Sequence, residues 1–125
     1  MDKLQIAATR TSPEILLDHE KGFVSIKGKS LGQDSNVFFE PVFSWVESYF
    51  KDPQSRTIVE LNLEYFNSTS SKLIVDLLFR MKSWAPENHE ISVKWFYEAG
   101  DDDLLEQGKI MEGFFGIPFE YIPFE

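Results

Sequence analysis

Two segments of the sequence alternate strictly between apolar and polar residues, and a longer segment with helical spacing lies between them. The alternating segments are residues 57–66 (TIVELNLEYF) and 91–97 (ISVKWFY), and a helix is predicted over residues 69–84. This succession implies parallel strands joined by a right-handed crossover. Because both strands keep a polar face, we expect helices mainly on one side of the sheet and a partly open second face. The apolar face of the first strand is formed by Val59, Leu61, Leu63 and Tyr65.

Six further segments complete a predicted order of β-β-β-α-β-α-β-α-β. Turn residues separate the early segments, and the side chains of Asp34 and Ser35 are suited to capping the first helix. The additional predicted strands are residues 4–9, 14–18, 23–29 and 119–124, and the additional predicted helices are residues 36–51 and 102–114. We therefore predict a single α/β domain over residues 1–125, with two layers and a mixed, mostly parallel sheet.

The charge balance and the absence of cysteine narrow the possible functions. The chain has 12 Lys and Arg against 21 Asp and Glu, and its net charge of −9 repels nucleic acid and anionic lipid. Without Cys, disulfides and thiolate metal sites are excluded. The first residues lack the apolar middle of a signal peptide, and no apolar segment approaches the ~20 residues of a membrane span. We expect a soluble, cytoplasmic protein with no nucleic-acid partner and no membrane partner.

Four consecutive hydroxyl residues begin at Ser68, where the first alternating segment gives way to the helix. At ~100° per residue, Ser70 falls within the apolar arc of this helix, whereas Ser68 and Thr69 lie outside it. One interpretation is structural: Asn67 or Ser68 caps the helix and the other hydroxyls are small fillers. The other is that a hydroxyl accepts phosphate, which a helix N-terminus tolerates and which adds ~1.5–2 negative charges. The residue types alone leave both interpretations open.

One flank of this helix is a candidate protein-binding surface. Ser71, Val75 and Phe79 follow one another along the helix beneath the hydroxyl residues. This flank either packs against the first helix or forms an apolar contact surface for a partner. We include Asn67 and Lys72, which lie on either side of the hydroxyl residues, in the candidate partner-binding surface.

Other patterns favour a protein without catalytic or metal chemistry. Asp101, Asp102 and Asp103 stand at a predicted helix start, where carboxylates commonly serve as caps, and no fourth metal ligand is evident. The chain has no G-x-S-x-G nucleophile motif and no Gly-rich phosphate loop. We therefore expect no enzymatic activity, no metal and no cofactor.

Five motifs distributed along nearly the whole chain resemble one known family. The motif at the hydroxyl residues is the most specific of them, since a strand ending in Tyr, an apolar residue and Asn leads into hydroxyl residues, Lys and an apolar helix. The motifs are TRTSPEILLD, GFVSIKGKS, FFEPVFSWVESY, EYFNSTSSKLIVDLL and FGIPFEY. With them the chain resembles the SiaC family of regulatory phosphoproteins, whose fold is similar to the anti-sigma-factor antagonist (STAS) domain.

The resemblance implies a partner-switching function. In this family a dedicated protein kinase phosphorylates the hydroxyl residue that follows Tyr-x-Asn, and a PP2C-type phosphatase removes the phosphate. The unphosphorylated form binds and activates a diguanylate cyclase. The motif places the acceptor at Ser68, and Thr69 is the second candidate because the family often has Thr at this point. Two alternatives remain: an anti-sigma-factor antagonist that sequesters an ATP-dependent kinase, and a small-molecule-binding domain that uses the open sheet face.

Overall fold

The computed structural model describes residues 2–32 and 34–125. Its elements follow the predicted order, with six strands and three helices in this part of the chain. The strands are β1 (Leu4–Ile6), β2 (Glu14–Asp18), β3 (Phe23–Ser30), β4 (Arg56–Phe66), β5 (Glu90–Glu98) and β6 (Phe119–Phe124). The helices are α1 (Ser35–Tyr49), α2 (Ser68–Trp84) and α3 (Asp102–Phe115).

The six strands form one sheet in the order in which they occur along the chain, β1-β2-β3-β4-β5-β6. The pairs β1–β2 and β2–β3 are antiparallel, and the three following pairs are parallel. Each helix connects neighbouring parallel strands, always in the same direction across the sheet. Crossovers of one handedness therefore place all three helices on one face, where α2 contacts both α1 and α3. The predicted two-layer α/β fold with a mixed, mostly parallel sheet is confirmed.

The strand registers separate an interior face from an open face. Ile26, Leu61 and Trp95 are adjacent in β3, β4 and β5, and all three are buried beneath the helices. One residue earlier in each strand, Ser25, Glu60 and Lys94 are adjacent on the opposite face and only half-buried. This period of two is the one expected of a sheet with one covered face.

The first strand is shorter than predicted. A strand was expected over residues 4–9, but β1 ends at Ile6. The hydroxyl of Thr9 accepts hydrogen bonds from the backbone N–H groups of Thr11 and Ser12, at 3.2 and 3.0 Å. A Thr side chain that bonds its own backbone in this way replaces strand pairing with a turn.

The prediction that Tyr65 lies on the buried face of its strand was wrong. Gly28 is adjacent to Leu63, but the next pair in the register is Lys29 with Tyr65, so the register shifts by one residue in β4. This irregularity inverts the alternation after Leu63. Tyr65 is consequently 66% exposed, and Phe66 instead turns inward to pack edge-on against Trp95.

The end of α3 is attached to β6 through the carboxylate of Glu112. One carboxylate oxygen accepts the backbone N–H of Phe119 at 2.7 Å, and the other accepts the hydroxyl of Tyr121 at 2.6 Å. The Tyr121 hydrogen bond, followed by that of Phe119, lowers the pKa of Glu112. Burial, together with this carboxylate, raises the pKa of Tyr121. Both shifts favour an ionised Glu112 beside a neutral Tyr121.

We expect the stabilising effect of Glu112 to disappear in acid. Because its pKa is lower in the folded protein than in the unfolded chain, the stabilisation is complete above the unfolded value of ~4.3 and is lost as pH falls through the folded value. Wild-type protein and the Glu112→Gln variant should therefore differ most in unfolding free energy near pH 7 and converge toward pH 3. Urea denaturation between pH 3 and 7 measures this difference, and a constant gap would contradict the assignment.

Candidate functional site

The hydroxyl residues form the first turn of α2, with Asn67 as the cap. The Asn67 side-chain oxygen accepts the backbone N–H of Ser70 at 2.8 Å, and the Asn67 carbonyl accepts that of Ser71 at 2.9 Å. Ser68 and Thr69, the first two helical residues, are exposed, as predicted. Within the described chain, the backbone N–H groups of Ser68 and Thr69 have no hydrogen-bond acceptor. Two donors at the positive end of the helix dipole therefore face solvent beside two accessible hydroxyls.

Ser70 points inward and is fully buried, again as predicted. Its hydroxyl donates to the carbonyl of Ser30 at 3.0 Å and lies 2.6 Å from the Ser30 hydroxyl. Since the Ser70 proton is committed to the carbonyl, the Ser30 hydroxyl must donate to Ser70. The Ser35 hydroxyl, 3.2 Å from that of Ser70, donates to the carbonyl of Gly32 at 2.8 Å. These three serines, which we call the serine cluster, join the end of β3 to the first turns of α1 and α2.

The prediction that the side chains of Asp34 and Ser35 cap the first helix was wrong. Asp34 occupies the N-cap position of α1 but makes no side-chain cap hydrogen bond. Ser35 is the first residue inside the helix, and its hydroxyl belongs to the serine cluster. At this helix start, a side-chain contact between α1 and α2 thus takes the place of a cap hydrogen bond.

The Ser70→Ala variant should lose about 1–3 kcal/mol of unfolding free energy, because it leaves the buried Ser30 hydroxyl without its acceptor. The Ser68→Ala variant alters an exposed side chain and should change stability by less than about 0.5 kcal/mol. Chemical denaturation of both variants checks the contrast. Equal values for the two would contradict the assignment of Ser70 to the interior and Ser68 to the surface.

The predicted contact flank of α2 faces α3 rather than α1. Ser71, Val75 and Phe79 line a groove of about 400 Å³ together with Phe114 of α3. The Phe79 ring packs 4.9 Å from the Phe115 ring yet remains 44% exposed. The apolar flank is therefore only partly covered by its own domain, and the alternative that it packs against the first helix is not observed.

The side of α2 that faces α1 is occupied by other residues. The Arg80 guanidinium lies 4.9 Å from the centre of the Phe43 ring of α1 and also pairs with Asp76 at 3.2 Å. The cation–π contact and the i,i+4 ion pair hold the Arg80 side chain on the side of α2 that faces α1. The flank lined by Ser71 thus stays available.

Sequence reasoning missed the α3 wall of the groove. Ile110 and Phe114 are 55% and 63% exposed, and they line a continuation of about 110 Å³ that reaches Phe66 and Ser71. Their exposure was readable from the pattern of α3. Ile110 and Phe114 lie outside the buried arc of this helix. The buried residues recur at helical spacing and are Leu104, Gly108, Met111 and Phe115.

Charged residues of both signs lie on the α2 rim of the groove. Lys72 is exposed there, and no ion-pair partner for it occurs in residues 2–32 and 34–125, whereas Asp76 pairs with Arg80 at 3.2 Å. Glu64, Asp101 and Asp103 line a separate hollow beyond Phe66. Asp101 also caps α3, because its carboxylate accepts the backbone N–H of Leu104 at 3.0 Å, as its position at the helix start predicts.

Residues 2–32 and 34–125 contain no cluster of three or more His, Cys, Asp or Glu side chains arranged to hold a metal ion. None of the helices in this part of the chain combines the length and apolarity needed to cross a membrane.

Comparison with known proteins gives consistent matches over nearly the full length. The family model described as SiaC family regulatory phosphoprotein matches residues 6–124. SiaC of Pseudomonas aeruginosa has a similar structure, with a TM-score of 0.81 and 27% identity over 98% of this chain and 97% of that chain. The structure is also similar to that of a chain in the crystal structure of the diguanylate cyclase SiaD in complex with its activator SiaC from P. aeruginosa. That match has a TM-score of 0.90 and 26% identity, covering 97% of this chain and 99% of that chain.

A curated relative extends the sequence similarity. An uncharacterised protein of P. aeruginosa is 29% identical to this chain over 106 residues, which cover 85% of this chain and 84% of that protein. The hydroxyl residues and the groove therefore lie in a fold that resembles the solved structures in amino-acid sequence as well as in shape.

Proposed function

The chain belongs to the SiaC family of regulatory phosphoproteins, and on that premise we propose that it is a partner-switching protein controlled at the start of α2. Its unphosphorylated form binds and activates a diguanylate cyclase, and phosphorylation of Ser68 ends the interaction. The cyclase is proposed because the similar chain SiaC of P. aeruginosa is described as the activator of the diguanylate cyclase SiaD. Thr69 is the second candidate acceptor.

The observation that carries the proposal is the exposure of Ser68 at the first position of α2. A kinase can reach this hydroxyl, whereas Ser70, two residues later, is fully buried. A phosphate on Ser68 lies beside backbone N–H donors and the positive helix end, so the fold tolerates it. The modification then changes the surface by ~1.5–2 negative charges without unfolding the domain.

The proposed switch needs a protein kinase and a PP2C-type phosphatase, and it assigns no catalytic step to this chain. The kinase and the cyclase consume nucleoside triphosphates, which places the proposed function in the cytoplasm. The half-buried Asn67 precedes the acceptor, and the exposed Lys72 and Phe79 lie further along α2. Together with Ser71 and Val75 they form the partner surface. Cyclic di-GMP production is the expected output.

The test is a reconstitution with the purified chain, its cognate kinase and its cognate cyclase. Intact-mass and peptide mass spectrometry should locate a single phosphate on Ser68, and the phosphorylated chain should no longer raise the rate of cyclic di-GMP synthesis. Treatment with a PP2C-type phosphatase should restore activation. The proposal is overturned if the unmodified chain neither binds nor activates the cyclase, or if it instead sequesters an anti-sigma-factor kinase.

A further inference from the structure

The first turn of α2 is held on both sides of its two exposed hydroxyls. The carbonyl of Ser30, at the end of β3, accepts the backbone N–H of Asn67 and the hydroxyl of Ser70, each at 3.0 Å. Asn67 stands immediately before Ser68, and Ser70 stands immediately after Thr69. One carbonyl group of the neighbouring strand therefore fixes both ends of the segment that presents the two candidate acceptors.

The side of this turn that faces the interior is fixed by further hydrogen bonds. The Ser70 hydroxyl lies 2.6 Å from that of Ser30 and 3.2 Å from that of Ser35, and its backbone N–H donates to the Asn67 side chain at 2.8 Å. In residues 2–32 and 34–125, no buried side-chain nitrogen or oxygen lacks a hydrogen-bond partner. A buried network that is fully satisfied rigidifies the segments that it joins, which opposes the fraying usual at helix ends.

Hydroxyl groups are not needed merely to fill this space. An alanine at position 70 would have almost the same volume, and the hydrogen bonds of a buried hydroxyl do little more than offset the loss of its contacts with water. What the hydroxyl adds over a methyl group is direction, because a hydrogen bond fixes both a distance and an angle. The serine cluster is therefore better suited to setting the orientation of the turn than to adding stability.

The orientation of the turn matters because accessibility does not choose between Ser68 and Thr69. Both side chains are exposed, and in a helix their Cα atoms are ~3.8 Å apart and rotated by ~100° about the axis. A kinase that docks in one pose aligns one hydroxyl with the phosphorus that it attacks. A displacement of ~1 Å from such an alignment costs ~10²-fold in rate. A small movement of the turn is thus enough to change which hydroxyl reacts.

We propose that Ser70, held by Ser30, is a positioning residue that confines phosphorylation to Ser68 and keeps it from Thr69. The inference rests on the proposed function, since it explains how the kinase selects its acceptor. In the reaction, the Ser68 oxygen bonds to the γ-phosphorus of ATP, the bond from that phosphorus to the β–γ bridging oxygen breaks, and ADP leaves. The hydroxyl proton passes to a base of the kinase. Ser70 contacts none of these atoms and acts only through the orientation of the turn.

Phosphorylation of full-length variants by the cognate kinase with ATP tests the proposal, with peptide fragmentation in the mass spectrometer to separate position 68 from position 69. Wild-type chain should carry at least tenfold more phosphate on Ser68 than on Thr69, and Ser70→Ala should lower this ratio to about three or less. The kcat at Ser68 should fall with it. The KM for the chain should stay within twofold of wild type, because the exposed surface of α2 is unaltered.

A double variant separates orientation from stability. Ser30→Ala combined with Ser70→Ala leaves neither buried hydroxyl without its partner, so its unfolding free energy should return close to that of wild type. Its phosphorylation should nevertheless be as unselective as that of Ser70→Ala. A return of the wild-type ratio together with the stability would overturn the proposal.

Thr57→Val is the matched control at the other end of the same strand. The Thr57 hydroxyl is also fully buried, and it lies 2.9 Å from the Tyr49 hydroxyl and 2.8 Å from the His89 ring. Thr57 stands at the second position of β4, whereas Ser68 follows the end of that strand. The variant should lose stability and keep the wild-type ratio. A loss of selectivity equal to that of Ser70→Ala would show that destabilisation is the cause and overturn the proposal.

The positioning role and the proposed function fail in different ways. If wild-type chain is phosphorylated on Ser68 and the ratio is unchanged in Ser70→Ala, the positioning role is wrong and the phosphorylation switch stands. Comparable phosphate on both residues of wild-type chain, or phosphate mainly on Thr69, also overturns the positioning role. If the kinase modifies neither residue, the proposed function fails and this inference fails with it.

Discussion

The Ser68→Glu variant will bind the cognate diguanylate cyclase at least tenfold more weakly than the Ser68→Ala variant, which will bind like wild type. A tenfold change corresponds to ~1.4 kcal/mol, a modest demand on a charge placed beside the partner surface. The folded state should be unaffected, because a carboxylate in the first turn of a helix is stabilising by ~0.3–1 kcal/mol. Calorimetric titration measures the affinity, and the rate of cyclic di-GMP synthesis measures the consequence.

One control variant separates the effect of the charge from that of side-chain volume, and a second separates position 68 from position 69. Ser68→Gln adds the same volume without the charge and should retain most of the affinity. Loss of binding in Ser68→Gln equal to that in Ser68→Glu would show that bulk, not charge, releases the partner. Thr69→Glu moves the charge by one residue. If this variant alone lost binding, Thr69 would be the acceptor and the assignment to Ser68 would be wrong.

The Gly22→Ala variant should lose about 2–5 kcal/mol of unfolding free energy, a large share of the ~5–15 kcal/mol typical of a domain. Gly22 has φ of +60° in the turn between β2 and β3, which costs an L-residue ~1–2 kcal/mol. A methyl group there would collide with the carbonyl oxygen of Arg56 and lie 2.9 Å from the Tyr49 hydroxyl. Such overpacking adds ~1–3 kcal/mol, and urea denaturation measures the sum.

Gly100→Ala is the matched control for this variant. Gly100 also has a positive φ, +93°, but a methyl group on it would have no neighbouring atom within 4 Å. It should therefore show the backbone cost without the collision and be clearly less destabilising than Gly22→Ala. Similar losses for the two glycines would contradict the close approach of Arg56 to the turn.

The order of elements and the orientation of the hydroxyl residues could be predicted from the sequence because both depend on local periodicity. Alternation in residues 57–66 and 91–97 identified two strands with one covered face, and the neighbouring elements followed from the same patterns. A rotation of 100° per residue was enough to separate the exposed Ser68 and Thr69 from the buried Ser70. No contact between distant segments had to be known for these predictions.

Two of the errors arose where a distant segment decides the local structure, whereas the early end of β1 follows from the nearby Thr9 side chain. Tyr65 follows the alternation of its own strand, but the irregular pairing of β4 with Lys29 turns it outward. Asp34 is a good capping residue by type, yet the side-chain contact near this helix start comes from Ser35, which meets Ser70 of another helix. Neither pairing leaves a signal in the residues next to the one affected.

The α2 wall of the groove was predicted and the α3 wall was not, for a related reason. The wheel of α2 shows that Val75 and Phe79 lie outside its buried arc, but it does not show how closely α3 approaches. Ile110 and Phe114 become significant only when the two helices are placed side by side with space between them. Helical periodicity gives the direction of a side chain, whereas the distance between helices depends on the whole core.

The strand order also affects how the molecule is made. Each strand after β1 is hydrogen-bonded to the strand that precedes it in the chain, so each new strand finds its neighbour already synthesised when it leaves the ribosome. The sheet can therefore grow from its N-terminal edge one crossover at a time. No interior position has to stay vacant while a later segment is translated, which shortens the time during which unpaired strand edges are open to aggregation.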